Sequence, residues 1–291
     1  MTDFFILAGG YGKRAAPLSD HLPKPLFPLD GEPLLKRLSD QLRSNGFIKG
    51  YINIHHLAPL IRNFNIPGLD ITCLEEKVLT GNRILSECGD KTESDLLVIN
   101  GDTYLDIPFD ALLGPMAGGS ADGIILVRKK DGPYSSIVTS GDRFIKRDKD
   151  PRVTDLMYAG VSVFRNGFLP LLREENLFDS LENAAGSILI TEYKGEWLDI
   201  GTPENYFLSN ERFRKLMGKQ RGNSFSPGVS VSADAAVTGS IVWDNTLISG
   251  TTVISDCIVT GGLEITGGTY HNSVVTADGE SPLCFHPPFT G

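Results

Sequence analysis

A short apolar strand runs directly into a glycine turn at the start of the chain. The strand spans Phe4 to Leu7, and it is followed by Ala8-Gly9-Gly10-Tyr11-Gly12-Lys13-Arg14. Because glycine has no Cβ, backbone N–H groups in such a turn can close on phosphate oxygens. Arg14 and Lys24 add positive charge, and the prolines on both sides of Lys24 stiffen the backbone that presents it. The pattern predicts a loop that binds a triphosphate.

The segments that follow alternate between strand-like and helix-like patterns. The continuous apolar run Leu96–Ile99, which ends in Asn100-Gly101-Asp102, is typical of a central parallel strand covered on both faces. This alternation predicts a doubly wound, Rossmann-like mixed α/β sheet, in which ligands bind beyond the carboxyl ends of the strands. The predicted strands are 4–7, 50–54, 69–74, 96–99, 123–127, 137–140, 144–146, 158–164 and 188–190, and the predicted helices are 32–45, 57–64, 81–88, 167–185 and 203–217.

The last part of the chain is a repeat. After Arg221 there is no Lys or Arg, and apolar residues recur every six positions at Val229, Ala235, Ile241, Leu247, Val253, Val259 and Ile265. Three similar tetrapeptides, which begin at Ser240, Asp256 and Asn272, recur every sixteen residues. A six-residue period predicts a short left-handed parallel β-helix, with about three sixes per turn and the apolar residues pointing inward. An ordinary β-rich tail is the alternative.

These patterns predict a catalytic domain over 1–218, a linker over 219–226, and the β-helix with an extended arm over 227–291. Trp243 in the repeat and Phe285 and Phe289 in the arm would form an adhesive surface if they were exposed. We therefore expect them to be buried against the catalytic domain or against a second subunit, and a homodimer is the commonest such arrangement.

The spacing of the first loop resembles a known signature. The motif G-x-G-x-R-x-x-P-L-[ST]-x-x-x-P-K-P-[IL]-x-P, which runs here from Gly10 to Pro28, is similar to that of the sugar-1-phosphate nucleotidyltransferases; Ala16 is smaller than the apolar residue usual there. The resemblance implies the reaction of an NTP with a sugar 1-phosphate to give an NDP-sugar and pyrophosphate. It implies catalytic roles for Arg14, Lys24 and Asp102. The nucleotide-binding residues that it implies are Leu7, Ala8, Gly9, Gly10, Gly12, Lys13, Arg14, Thr80, Gly81 and Gly101.

Two further motifs resemble the family's metal site. Asn100-Gly101-Asp102 is similar to its first metal-binding segment, and Trp197-Leu198-Asp199-Ile200-Gly201-Thr202 is similar to its W-x-D-[IVT]-G-T segment. The resemblance implies that Asp102 and Asp199 bind Mg²⁺, for which carboxylate oxygens are suitable ligands. Taken alone, Asp102 could equally be a residue of a turn.

The sugar side and the base turn depart from the family's pattern. Lys149 stands where the family has E-K-P, Tyr134 where it has Tyr-Gly, and Gly160 where it has N-[AS]-G, so these residues are expected to bind the sugar phosphate. Lys149 could instead belong to a solvated run of charges. Thr80-Gly81 resembles the base-recognition turn, although Asn82 replaces a small residue and Thr80 could simply cap a helix.

Composition excludes several other classes. The net charge of −9 argues against nucleic-acid binding, and no apolar run has the length of a membrane span. The four cysteines are far apart, and the first strand begins too early for a signal peptide, so a cytoplasmic location is expected.

Two rival functions can be considered: a regulatory relative that senses a nucleotide, and an acyltransferase built on the repeat. The first should lack Lys24, Asp102 or Asp199, but all three are present. The second would need a basic coenzyme A site, but the repeat contains no Lys or Arg. Within the enzyme class, the sequence most resembles enzymes for mannose, heptose or N-acetylmuramate 1-phosphate, with GTP or UTP as the nucleotide.

Overall fold

The computed structural model describes residues 2–119, 121–183 and 187–284. The chain divides into two compact units whose segments alternate along the sequence. The first unit comprises Met1–Gly10, Ser39–Gly101 and Leu105–Trp197, and the second comprises Tyr11–Leu38, Asp102–Tyr104 and Leu198–Gly291. The predicted boundaries at 218 and 226 remain predictions. None of the helices among the described residues combines the length and the apolar character that a membrane span requires.

The described residues form strands and helices with the following bounds. The strands are β1 (Thr2–Leu7), β2 (Pro28–Leu29), β3 (Glu32–Pro33), β4 (Lys49–Ile54), β5 (Asp70–Glu75), β6 (Asp95–Asn100), β7 (Thr103–Leu105), β8 (Gly123–Lys129), β9 (Ser136–Ser140), β10 (Arg143–Asp148), β11 (Leu156–Phe164), β12 (Ile188–Tyr193), β13 (Trp197–Asp199), β14 (Ser224–Phe225), β15 (Ser230–Val231), β16 (Ala236–Thr238), β17 (Ile241–Val242), β18 (Leu247–Ser249), β19 (Val253–Ser255), β20 (Ile258–Val259), β21 (Glu264–Thr266), β22 (Thr269–His271), β23 (Ser273–Thr276) and β24 (Gly279–Pro282). The α-helices are α1 (Leu18–His21), α2 (Leu34–Ser44), α3 (Ala58–Arg62), α4 (Ile84–Gly89), α5 (Phe109–Gly118), α6 (Leu177–Asn183) and α7 (Pro203–Leu216). Short 3₁₀ helices span Lys13–Ala15, Lys24–Leu26, Gly81–Arg83 and Asn166–Leu171.

The first unit is built on a nine-stranded mixed sheet in the order β5-β4-β1-β6-β11-β8-β12-β10-β9. The predicted central strand is confirmed, because β6 is fully buried over Leu96–Ile99. β1 lies between β4 and β6 and is parallel to both, so Leu7 pairs with Asn53 on one side and with Asn100 on the other. The carboxyl ends of three parallel strands therefore meet at one edge, where the glycine turn begins.

Helix α5 was not predicted from the sequence. It contains Gly114, Pro115 and Gly118, which are residues that disfavour helix interiors. The helix forms nonetheless because Phe109, Leu112 and Met116 bury one side of it. Tertiary burial here outweighs intrinsic propensity, which is small for each residue.

The second unit contains the predicted β-helix, whose strands stack in three parallel ladders, β14-β17-β20-β23, β15-β18-β21 and β16-β19-β22. Successive coils are offset by 17 residues, as in the ladder Ser230–Leu247–Glu264. The last offset is 16 residues, from Ile258 to Val274. β24 then turns back antiparallel to β23 at the end of the stack. Phe285 and Phe289 of the predicted arm lie outside the described residues.

The prediction of which apolar residues point inward is wrong at two positions. Leu247 is 40% exposed and Val253 is 38% exposed, whereas the next residues, Ile248 and Ile254, are fully buried. The reason is the coil length. A strict period of six requires coils of three sixes, but these coils are shorter than that, so the inward positions drift along the six-residue series. Val259 and Ile265, two other members of the series, belong to the buried core of the β-helix as predicted, whereas at Ile241 it is the next residue, Val242, that belongs to this core.

Candidate active site

The first unit holds the start of the glycine turn through a buried polar network. The N–H of Ala8 donates to Oδ1 of Asn53 at 2.7 Å, and Nδ2 of Asn53 donates to Oε2 of Glu76 at 2.6 Å. A Cβ on Gly9 would lie 2.7 Å from Nδ2 of Asn53 and 3.0 Å from Oε2 of Glu76. Gly9 therefore lies directly over the bond between these side chains, and any larger residue would disturb it. Gly10 is exposed, with no other heavy atom within 4 Å of its Cβ position.

The same glutamate holds the predicted base turn. Oε1 of Glu76 accepts hydrogen bonds from the N–H of Thr80 at 2.9 Å and from its hydroxyl at 2.7 Å. Gly81 has a positive φ of 60°, and a Cβ there would collide with the carbonyl oxygen of Glu175. A structural reason for glycine at position 81 therefore exists within the fold. Nδ1 of His55 lies 2.7 Å from the carbonyl oxygen of Glu76, as expected of a structural histidine.

The second unit contains the basic part of the loop, from Tyr11 to Pro28. Gly12 adopts a left-handed conformation with φ of 67°, and its carbonyl oxygen accepts a hydrogen bond from the hydroxyl of Ser19 at 3.0 Å. Lys13 and Arg14 follow it and are both exposed. The loop thus folds back on itself and presents two cations to solvent, which suits the binding of a polyphosphate.

Lys24 and Asp102 form an ion pair in the second unit, between Nζ and Oδ2. The 3₁₀ helix Lys24–Leu26 fixes the lysine backbone, and Asp102 follows the end of strand β6. The pair is partly buried, with 14% of the lysine side chain and 32% of the aspartate side chain exposed. The structure therefore brings together two of the three predicted catalytic residues.

Asp199, the second predicted metal ligand, lies beside the segment that carries Asp102. The N–H of Ile200 donates to the carbonyl oxygen of Asp102 at 3.4 Å. The Asp199 carboxylate is oriented by the N–H of Gly201 at 2.9 Å and by Nδ2 of Asn205 at 2.7 Å. Thr202 caps helix α7 by accepting a hydrogen bond from the N–H of Asn205. The helix cap thus also places the amide that orients Asp199.

Arg14 approaches Asp199 at Gly201. A Cβ on Gly201 would lie 2.9 Å from Oδ1 of Asp199 and 3.2 Å from Nη2 of Arg14. Glycine at this position therefore leaves room for the carboxylate and the guanidinium to lie close together. Arg14, Lys24, Asp102 and Asp199 all belong to this one region of the second unit.

The side chains present are suited to a divalent cation. Among the described residues no group of three or more His, Cys, Asp or Glu side chains could hold a metal ion. Two carboxylates are nevertheless a sufficient protein contribution for Mg²⁺, which keeps several waters and binds substrate phosphates. In this structure the Asp102 carboxylate pairs with the ammonium group of Lys24.

The β-helix contacts the segment that follows Lys24. Trp243 is 2% exposed, and its ring centroid lies 5.1 Å from that of Phe27. Its Nε1 donates to the hydroxyl oxygen of Tyr206 at 3.0 Å, and this hydroxyl donates to the carbonyl oxygen of Pro28 at 2.6 Å. Burial raises the pKa of Tyr206, so its phenol stays protonated and able to donate. The expectation that Trp243 would be buried is confirmed, and its neighbours lie within the second unit.

Asp30, two residues after Pro28, is the centre of an ion cluster. Asp30 accepts hydrogen bonds from Nη1 of Arg214 and from Nζ of Lys219, both at 2.5 Å. Burial alone would raise the pKa of Asp30, but the bonds and charges of Lys219 and Arg214 outweigh it, so its pKa lies below the usual range. The loop that carries Lys24 is thereby tied to the end of α7.

Two of the three predicted sugar-side residues, Tyr134 and Gly160, lie close to Trp197 in the first unit. The ring of Tyr134 meets the ring of Trp197 edge-on, at 5.4 Å between centroids. Nε1 of Trp197 donates to the carbonyl oxygen of Ala159 at 3.0 Å, next to Gly160. Gly160 has φ of 88°, and a Cβ there would lie 3.3 Å from the side chain of Asn100. Trp197 thus connects the segments of Tyr134 and Gly160.

Lys149, the third predicted sugar-side residue, also belongs to the first unit. It is exposed, and its neighbours Asp148 and Asp150 pair with Lys146 and Arg152 respectively. Its role in binding a sugar phosphate remains a prediction.

Several residues of the site were missed by the sequence analysis. Asn53, Glu76 and Asn205 position predicted site residues through side-chain hydrogen bonds. Only Asn205 carried a local signal, because it follows a capping threonine by three residues.

Comparisons with known proteins identify relatives of this chain. The profile of the family described as "Nucleotidyl transferase" matches residues 4–215. A Sulfolobus acidocaldarius protein provisionally named as a mannose-1-phosphate guanyltransferase is 27% identical over 80% of this chain and 69% of its own length. The catalytic subunit beta of mannose-1-phosphate guanylyltransferase from Danio rerio is 27% identical over 69% of this chain and 61% of its own length. The chain thus spans about two thirds of the length of these relatives.

Solved structures share the fold. The structure of HddC from Yersinia pseudotuberculosis superposes with a TM-score of 0.61 at 23% identity, covering 73% of this chain and all of HddC. A UDP-glucose pyrophosphorylase solved with UDP-glucose superposes with a TM-score of 0.62 at 17% identity, covering 74% of this chain. Because the family profile extends over most of the chain, from the first strand to helix α7, this protein belongs to the nucleotidyl transferase family.

Proposed function

We propose that this chain makes a nucleotide sugar from an NTP and a sugar 1-phosphate, with GTP and mannose 1-phosphate as the favoured pair. The observation that carries the proposal is the cluster of Lys24, Asp102, Asp199 and Arg14 in the second unit. This cluster offers two cations and two carboxylates, and no side-chain nucleophile is required. The substrate pair is suggested by the names of the relatives from Sulfolobus acidocaldarius and Danio rerio.

The proposed step is a direct displacement at phosphorus. An oxygen of the sugar phosphate attacks the α-phosphorus of the NTP, and the bond from that phosphorus to the oxygen bridging to the β-phosphate breaks. Pyrophosphate leaves with the electron pair of that bond. Because no proton must be removed from an ionised phosphate, catalysis depends on positioning and charge stabilisation.

The chain's own residues would supply both the positioning and the charge stabilisation. Lys24 exchanges its contact with Asp102 for a phosphate oxygen of the reacting group, and the prolines beside it keep its backbone fixed. Arg14 and Lys13 hold the departing pyrophosphate, and Asp102 and Asp199 would hold Mg²⁺. When bound, the metal would neutralise phosphate charge. Gly201 and Asn205 keep the Asp199 carboxylate oriented for this role.

A pyrophosphate-release screen of GTP, UTP, CTP, ATP and dTTP against mannose, glucose, heptose and N-acetylmuramate 1-phosphates, with Mg²⁺, tests the proposal. Asp102→Asn and Asp199→Asn should each lower kcat by at least about 10², as loss of a charged contact to the transition state does. Asp234→Asn, a change at an exposed position of the β-helix, serves as the matched control.

Wild-type kcat in either Asn variant at saturating Mg²⁺ would refute the metal site. If wild-type protein binds GTP but releases no pyrophosphate with any sugar phosphate, the regulatory alternative gains support. The homodimer expected from the sequence remains a separate prediction.

A further inference from the structure

We propose that Glu76 and Asn53 are positioning residues for the nucleotide, acting together as a buried link between the glycine turn and the Thr80–Gly81 turn. This proposal rests on the proposed function, because it needs a nucleotide at both turns. Neither residue belongs to a motif of the sequence analysis. The two side chains are buried, with 6% of Glu76 and 4% of Asn53 exposed. They join segments that are remote in sequence but adjacent in the sheet.

The link has a fixed polarity. It begins at the N–H of Ala8 and ends at the N–H of Thr80, and both groups can only donate. Oδ1 of Asn53 must therefore face Ala8, so its Nδ2 faces Glu76. Glu76 then has to accept at both oxygens, from Asn53 on one side and from Thr80 on the other. An ionised carboxylate is the group that accepts at both positions.

The Asn53–Glu76 link has to be compact because the backbone of the glycine turn lies directly over it. Gly9 lies over the Asn53–Glu76 bond, and a Cβ there would also lie 3.2 Å from Cδ2 of Leu79, in the segment that leads to Thr80. The turn after β1 and the turn after β5 are thus held at a fixed separation. Two turns that must contact one nucleotide benefit from such a constraint, because preorganisation lowers the cost of ordering them on binding.

Glu76→Gln should break the link in a predictable way. Both linking side chains are then amides, and each amide supplies one donor and one acceptor. Both ends of the link are backbone N–H donors, so every orientation of the two amides leaves one donor facing another donor. A buried donor without an acceptor is costly. We expect the KM for the NTP to rise about tenfold or more, while the KM for the sugar phosphate changes by less than about twofold.

A polarity swap provides the rescue. In the double variant Asn53→Asp with Glu76→Gln, the new carboxylate accepts from Ala8 and from the Gln amide, and the Gln oxygen accepts from Thr80. Every hydrogen bond of the link is restored, and the charge of the pair is unchanged. We expect the double variant to recover most of the lost NTP affinity. Glu75→Gln is the matched control, since Glu75 is the adjacent residue with a side chain 59% exposed.

The experiment measures GTP binding by titration calorimetry, steady-state KM and kcat, and thermal unfolding of the wild type and the variants. Higher KM for the NTP in Glu76→Gln and recovery in the double variant support the proposal. If Glu76→Gln lowers only the melting temperature, and the constants of the folded protein are unchanged, the link is merely structural and the proposal is overturned. It is also overturned if the double variant is no better than Glu76→Gln.

The two proposals fail in distinguishable ways. If the wild type releases pyrophosphate and Glu76→Gln has the same KM and kcat, the link alone is refuted. Wild-type protein that neither binds GTP or UTP nor releases pyrophosphate refutes the proposed function, and the link as a nucleotide-positioning device falls with it.

Discussion

Replacing Trp243 with alanine should lower both the stability of the protein and the rate of the proposed reaction. The indole is 2% exposed and packs on Phe27, which lies three residues after Lys24. Removing a buried tryptophan costs about 3–5 kcal/mol of unfolding free energy, because the lost burial is joined by a cavity. The same change withdraws the N–H that binds the Tyr206 hydroxyl oxygen.

The catalytic effect follows from how the loop is held. The carbonyl oxygen of Pro28 accepts from the Tyr206 hydroxyl at 2.6 Å and from Nδ2 of Asn210 at 2.9 Å. Once the ring of Trp243 is gone, Phe27 and Tyr206 can shift into the cavity, and Pro28 shifts with them. A displacement of about 1 Å at a positioned group can cost 10² in rate, so we expect kcat to fall about ten- to a hundredfold.

Three companion variants separate packing from hydrogen bonding. Trp243→Phe keeps one ring and should cost about 1–2 kcal/mol. Tyr206→Phe keeps the packing but orphans the indole N–H, which should cost about 1–3 kcal/mol. Val253→Ala, on the outside of the same β-helix, should change stability by less than about 1 kcal/mol. The assays are urea unfolding and pyrophosphate release. If Trp243→Ala matched Val253→Ala in both assays, the reasoning that the β-helix holds the Lys24 loop would be refuted.

Three other outcomes are expected. Asp30→Asn should destabilise the protein near neutral pH, and its deficit should shrink below about pH 4, because a carboxyl whose pKa is lowered by folding stabilises only while ionised; a deficit independent of pH in acid unfolding would contradict this. Ile254→Ala should cost about 2–5 kcal/mol in urea unfolding, and equal effects of Ile254→Ala and Val253→Ala would contradict the inward positions described above. Lys149→Ala should raise the KM for the sugar phosphate more than that for the NTP, and a change in the NTP constant alone would exclude its predicted role.

Local patterns predicted the parts of the molecule in which neighbours in sequence determine structure. The strand before the glycine turn and the apolar run ending at Asn100 are confirmed as strands, and the structure pairs them in parallel. The family match confirms the predicted family. The motifs of Lys24 and Asp102 could each be recognised in the sequence. The ion pair between these two residues is seen only in the structure.

Contacts between distant residues were beyond such patterns. Asn53 and Glu76 are separated by 23 positions, and the hydrogen bond between them depends on the register of β4 and β5. Nothing in the residues around Glu76 distinguishes it from its exposed neighbour Glu75. The β-helix was recognised from its period, but the inward positions depend on the number of residues per coil, which a local period of six does not determine.

The motif glycines show how a sequence signature combines two requirements. From the sequence, glycine in the turn after the first strand was expected because of close approach by a ligand. Gly9 instead lies over the Asn53–Glu76 bond, Gly81 against the backbone of Glu175, and Gly201 beside the carboxylate of Asp199. Gly10 alone among these four has open space at its Cβ position. Alanine at Gly9 or Gly201 should therefore disturb the side chains that hold the site, whereas alanine at Gly10 would obstruct only what approaches from solvent. Glycine at the first three positions is thus explained by the protein's own packing. Gly10 has no such packing reason, and the approach of a phosphate to it stays a prediction.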